Sequence, residues 1–191
     1  ARLHEAMRYA VLGGGKRVRP LLVHAAGELT GARPEALEAA SAALEMIHVY
    51  SLVHDDMPCM DDDVLRRGKP TVHVKYDEAT ALLVGDALQS QAFVVLTDEA
   101  ALDAPAQAAL VRELALASGS LGMAGGQAID LASVGLTLTR PQLETMHRMK
   151  TGALLRASVR MGALAGAAPD EAALKALDAY AAAVGLAFQV V

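Results

Sequence analysis

Tryptophan is absent, phenylalanine occurs twice, and one cysteine serves all 191 residues. A single cysteine excludes a disulfide framework and suits a reducing compartment, here expected to be the cytoplasm. No apolar segment precedes a signal-cleavage site. No uncharged apolar run reaches the roughly 18 residues of a membrane span, and Asp86 interrupts the best candidate. A formal net charge of −5 argues against a nucleic-acid partner. Ser-His and Cys-His constellations are missing, and Cys59 has no base beside it in sequence. Strict alternation of apolar and polar residues is also missing, so no strand is expected.

What is present is 53% hydrophobic and rich in alanine. Alanine and leucine head the helix scale. The expected fold is all-α, a single-domain helical bundle with a central cavity. A chain of this length can bury a real core. One helix is expected from about Pro20 to Leu29, closed by Thr30-Gly31. Pro34 should open a long helix, as proline does at a first turn. Residues 64–73 read as a polar loop, and another helix runs from about Glu78 to Thr97. Asp103 and Pro105 start the next. Four glycines between Ser118 and Gln127 suggest a kink or a close backbone approach. Thr139 and Gln142 form a capping box, Gly152 weakens the helix that follows, and Asp170 caps the last one.

The long helix ends in the most informative stretch. From Asp55 to Asp63 five of nine residues are aspartates, and Arg66, Arg67 and Lys69 follow. Packed carboxylates repel unless cations neutralise them, and hard, oxygen-seeking Mg²⁺ is the natural counter-ion, usually shared with substrate phosphates. Guanidinium forks match phosphate oxygens. A straight helix would not align Asp55 with Asp61, because six residues turn by about 600°. Pro58 cannot sit in a helix interior, and a bulge at Met57–Cys59 would bring Asp61 back beside Asp55. Asp55 and Asp61 are therefore the expected principal metal ligands, with Asp56 secondary. Asp62 and Asp63 orient Arg66 or Arg67, or face water. Upstream, Gly13-Gly14-Gly15-Lys16-Arg17-Val18-Arg19 sets glycines before cations, an arrangement suited to an anion. It is not a P-loop, since no Ser or Thr follows the lysine. His48, Ser51 and Asp55 share a helix face. Gln127 and Asp130 share another, and a buried, hydrogen-bonded pair explains them equally well. His24, His54, His73 and His147 read as structural.

Five segments together resemble an isoprenyl diphosphate synthase, a trans-prenyltransferase. They are Gly13–Pro20, His54–Pro70, Gly125–Asp130, Lys150–Ser158, and Phe188-Gln189. The resemblance covers essentially the whole chain, with the motifs in the family's order. It is nearest to the bacterial farnesyl-forming branch. It implies Mg²⁺-dependent condensation of isopentenyl diphosphate with dimethylallyl or geranyl diphosphate, by ionisation of the allylic partner. Geranylgeranyl diphosphate synthesis is the alternative. A class I terpene cyclase would not need the Gly13–Arg19 element, and a non-catalytic subunit would lose carboxylates or cations. Lys16, Arg19, His48 and Arg67 match positions that hold isopentenyl diphosphate. Arg66, Lys150, Thr151 and Gln189 match the allylic side. Asp55, Asp61, Arg66 and Lys150 then carry the catalysis. Lys150 by itself would read as a surface lysine. Tyr50, with small Ser51 beside it, matches the aromatic typical of short products. The resemblance also implies a homodimer. In the family more helix precedes a segment like Ala1–His4 and a second aspartate motif follows one like Phe188–Val191, so domain 1–191 is expected to be incomplete at both ends.

Overall fold

The computed structural model describes residues 1–167 and 169–188. The helices are α1 (Arg2–Val11), α2 (Val18–Leu29), α3 (Pro34–Asp55), α4 (Val72–Lys75), α5 (Glu78–Asp98), α6 (Ala104–Ser118), α7 (Met123–Ala132), α8 (Arg140–His147), α9 (Ala153–Leu164) and α10 (Glu171–Ala187). Between α8 and α9 the chain widens into a π-turn, Arg148–Gly152. The fold is all-α, as its sequence suggests.

The boundaries have local causes. Pro34 lies in the first turn of α3. Asp77, Asp103 and Asp170 each accept a backbone N–H three residues on, capping α5, α6 and α10. Thr139 and Gln142 complete the capping box of α8. One departure stands against expectation. Residues 64–73 are not a plain loop: Leu65–Arg66 (β1) and Lys69–Pro70 (β2) pair as a minimal antiparallel hairpin. It is turned by Arg67 and Gly68, both at positive φ. Of the two readings of the glycine-rich stretch, the close backbone approach holds: α7 begins within it at Met123, and β-carbons at Gly122, Gly125 and Gly126 would strike neighbouring backbone.

Helix α3 is the axis of the bundle. It packs along α5 and also touches α2 and α9. Ala36, Ala40 and Ala43 are fully buried and let neighbouring backbones come close. Leu44 and Ile47 are equally buried, each contributing about 1.5–3 kcal/mol. They join Leu96, Leu110, Leu114, Leu154 and Met161 in the main core. A second cluster holds Val49, Val53, Val84 and Leu88 with Ala6 of α1. Tyr50 packs against both clusters. By length and composition alone α3 and α5 could each cross a membrane, despite the charges that interrupt their sequence. Most of α3 is instead interior to the bundle.

Candidate functional site

Helix α3 stops at Asp55, and the residues around Pro58 fold back on it. Met60 N–H donates to the Met57 carbonyl at 2.8 Å, and Asp61 N–H donates to the Asp55 carbonyl at 2.8 Å. The expected bulge is thus a helix end followed by a return turn, and it carries Asp61 back to Asp55. Burial pushes the Asp55 carboxyl up to about 6. Lys150 opposes that rise, and repulsion from Asp61 adds to it.

Asp56 is buried and held by Arg66, whose Nε donates at 2.8 and 2.9 Å and whose Nη2 donates at 2.5 Å. Both of its oxygens are committed to the guanidinium. Asp63, half exposed, also approaches Arg66 at 3.8 Å, in line with its expected part in orienting that arginine, while Asp56, expected as a secondary ligand, is engaged chiefly by the guanidinium. Thr71 steadies the hairpin by donating its hydroxyl to the Asp63 carbonyl at 2.8 Å. Tyr9 of α1 donates to the Pro70 carbonyl at 2.7 Å, with Lys75 Nζ 3.6 Å above its ring.

The two basic elements meet. Arg67 donates to the Gly14 carbonyl, and Gly15 leaves room for its guanidinium: a β-carbon there would lie 2.8 Å from Nη1. Arg17 turns into the protein with φ of 52° and ion-pairs with buried Glu45. Arg17 belongs to the basic motif read in the sequence, but its pairing with Glu45 does not show there, because an ion pair 28 residues apart leaves no local pattern. Arg19 is largely desolvated, which lowers its pKa, and Glu45 opposes that effect. His48 is pushed down to about 3, by burial first and then by Arg19, Arg67, Arg66 and Arg17. Its imidazole is therefore neutral near pH 7, and the charges of four guanidiniums act on it. Lys16 is exposed on the same loop.

Beside this cluster lies a cavity of about 400 Å³. Arg19, His48, Tyr50, Ser51, Asp55, Lys150 and Thr151 line it, so most of the sequence-derived set converges there. Leu52, Met60, Met123, Ala128 and Leu131 add an apolar wall that sequence patterning did not single out. Arg66 and Arg67 border a separate notch of about 60 Å³ with Asp56. Lys150 sits in the π-turn and donates to Asp130 at 2.6 Å. Asp130 is therefore a partner of the site, while Gln127 lines the cavity with its side-chain oxygen buried and unpaired. Gly126 permits the crossing: a β-carbon would fall 2.2 Å from the Lys150 nitrogen. Tyr50 meets His54 edge-to-face at 5.8 Å, and its hydroxyl faces Gln89 of α5. His54 lies over Gly85, its Nε2 3.1 Å from the Leu82 carbonyl. Gln189 lies outside the described residues.

The donor set fits Mg²⁺. Asp55 and Asp61 are adjacent hard oxygen donors whose repulsion a divalent cation would relieve, and this ion usually takes one or two carboxylates plus substrate phosphates. Among the described residues no group of three or more His, Cys, Asp and Glu forms an all-protein cage.

Comparison with known proteins adds an independent line. A family model described as Polyprenyl synthetase matches residues 1–191. The chain is 58% identical over 194 residues to a probable farnesyl diphosphate synthase of Sinorhizobium fredii, covering 99% of this chain and 58% of that protein. It is 52% identical over 191 residues to the farnesyl diphosphate synthase of Escherichia coli, covering 97% of this chain and 63% of that protein. The chain thus spans about three fifths of the length of these relatives. A crystal structure of an FPP/GFPP synthase from Zymomonas mobilis superposes with a TM-score of 0.95 at 50% identity, covering 99% of this chain and 69% of that one.

Proposed function

Because the chain belongs to the polyprenyl synthetase family, we propose that the complete protein joins isopentenyl diphosphate to an allylic diphosphate, dimethylallyl or geranyl, and releases farnesyl diphosphate. The observation that carries this reading is one cavity lined by Asp55 and Lys150 as well as by Arg19 and His48, with Arg66 and Arg67 in a separate notch. Carboxylates and Lys150 stand at Asp55, and the arginine cluster lies around His48.

Asp55 and Asp61 would hold Mg²⁺, which when bound neutralises the allylic diphosphate and stabilises charge as it departs. Lys150 and Arg66 act on the same leaving group electrostatically, and Thr151 and Gln189 belong to that side. Lys16, Arg19, Arg67 and neutral His48 hold the diphosphate of the second substrate. The allylic C–O bond breaks with both electrons going to oxygen. The double bond of isopentenyl diphosphate then attacks the cation, and a proton leaves the adduct, most simply to the released diphosphate. No protein nucleophile is required. The apolar wall from Leu52 to Leu131 supports the exclusion of water that would quench the cation.

Tyr50 and Ser51 line the cavity, which supports a short product, C15 first and C20 as the alternative. Exposed Leu82, Leu83 and Val94 on α5 supply an apolar face for a second copy, which supports a homodimer. The protein is expected to work in the cytoplasm. The test is to incubate the complete protein with Mg²⁺, isopentenyl diphosphate and each allylic diphosphate, and to chromatograph the dephosphorylated products. Undiminished turnover in excess chelator would remove the metal from the mechanism.

A further inference from the structure

We infer that Glu45 is a positioning residue for the isopentenyl diphosphate pocket: it decides which arginines remain free to meet the anion. The inference rests on the function proposed above and extends it to a residue outside the aspartate-rich segment.

Four guanidiniums, Arg17, Arg19, Arg66 and Arg67, act on His48. Helix α3 and its C-cap residue answer them with two buried carboxylates, Glu45 and Asp56. These lie eleven residues apart, which returns to within about 20° of the same helix face. Glu45 takes Arg17, and Asp56 takes Arg66. Arg19 and Arg67 are left without a carboxylate partner among the described residues. Of the four arginines, those two are left for the diphosphate of the second substrate, beside exposed Lys16.

Glu45 also fixes where they stand. Arg17 holds a left-handed backbone at φ 52°, which a branched or long side chain adopts only when its surroundings compel it. The ion pair to Glu45 and a hydrogen bond from Arg17 Nη2 to the Val11 carbonyl at 2.8 Å supply that compulsion. Arg19 lies two residues on, in the first turn of the helix that Arg17 caps, with its Nε buried and unpaired. Glu45 is the carboxylate that favours its charged form against burial. Without Glu45, Arg17 would compete for the anion from a different position, and Arg19 would lose both its register and its buried counter-charge.

The experiment compares Glu45→Gln, Glu45→Asp, Arg17→Gln and the Glu45→Gln/Arg17→Gln pair in the complete protein. It measures KM for each substrate, kcat, melting temperature, and calorimetric binding of inorganic pyrophosphate in metal-free buffer. Glu45→Gln should raise KM for isopentenyl diphosphate about ten-fold or more, the loss of roughly one charge-assisted contact. The allylic KM and kcat should stay within about two-fold, the signature of lost binding rather than lost chemistry. Pyrophosphate affinity should fall in parallel, Glu45→Asp should recover part of it, and the pair should be no worse than Glu45→Gln alone. An unchanged or lowered KM for isopentenyl diphosphate, or an equal rise for both substrates, overturns the inference. So does a drop in melting temperature with both KM values intact. If Glu45→Gln fails to fold, Arg17→Gln carries the same expectation, since it removes the other half of the anchor. A wild type that binds pyrophosphate but makes no prenyl product would overturn the functional reading, while the pyrophosphate comparison would still decide the role of Glu45.

Discussion

Arg67 and Gly15 fit against each other. The guanidinium occupies the space where a Gly15 side chain would begin, 2.8 Å from Nη1. Gly15 also has a φ of +135°. Gly14, at +97°, has open space around it. Gly14→Ala should therefore cost only backbone strain, about 1–2 kcal/mol, with substrate affinities unchanged. Gly15→Ala should carry that cost and also displace Arg67, raising KM for isopentenyl diphosphate about ten-fold or more. Thermal melts and initial rates on the two variants check the contrast.

Asp55→Asn should lower turnover by several orders of magnitude, because in the proposed reaction Asp55 and Asp61 would hold the metal on the leaving group. Removing one of several crowded, desolvated charges relieves repulsion. The melting temperature without Mg²⁺ should therefore hold or rise. A variant that unfolds yet keeps its specific activity would make Asp55 a structural residue. The same pattern is expected for Asp61→Asn.

His48 gives the fold a signed dependence on pH. Its folded pKa of about 3 lies below the unfolded value of about 6.5. Below that unfolded value the denatured chain takes up a proton that the native one refuses. The contribution to stability is thus complete above about pH 6.5 and is lost as pH falls toward 3, by up to about 1.4 kcal/mol per pH unit. His48→Gln should flatten that part of the acid limb. Urea titrations of both proteins, free of substrate, between pH 4 and 7 in steps of about one unit would measure the difference. Parallel limbs would mean that the imidazole protonates in the native state.

Tyr50→Ala should lengthen the product. The ring lines the cavity five residues before Asp55, about 7.5 Å along the helix, and packs against both core clusters. Overpacking a rigid wall costs about 1–3 kcal/mol, enough to bias termination. The wild type should stop mainly at C15 and the variant should reach C20 or beyond. The first condensation should change little. An unaltered product profile places the floor elsewhere, among the residues from Ala87 to Phe93.

Much of this architecture is local enough to read in the chain. Pro34, Asp103, Thr139 and Asp170 mark helix starts because capping is chemistry within a few residues. Pro58 forecasts the break after Asp55 for the same reason. The site residues that could be named are those whose type is uncommon in a core: clustered aspartates, arginines beside glycines, a histidine one face away. What escaped depends on contacts between distant segments. Arg17 and Arg19 are two cations in one short motif, yet only the fold sends the first to Glu45. Arg66 is far nearer in sequence to Asp63 than to Asp56, yet the fold gives its guanidinium chiefly to Asp56. Helix α1 has no cap side chain and was not anticipated. Its place is fixed by Tyr9, Ala6 and the second core.

The π-turn at Arg148–Gly152 has an implication for how this sequence can change in length. A π-turn is an α-helix carrying one surplus residue. Deleting one of those five residues would let α8 run straight into α9. It would also turn everything downstream by about 100°, lifting Leu155, Val159 and Ala163 off their seats with Leu22 and Ala26. A one-residue deletion between 133 and 138, where no helix runs, would be absorbed by the connection. The surplus residue thus sets the phase between the lysine's segment and the core. Lys150 can face the cavity and Asp130 while its own helix, one turn later, is already in step with the interior.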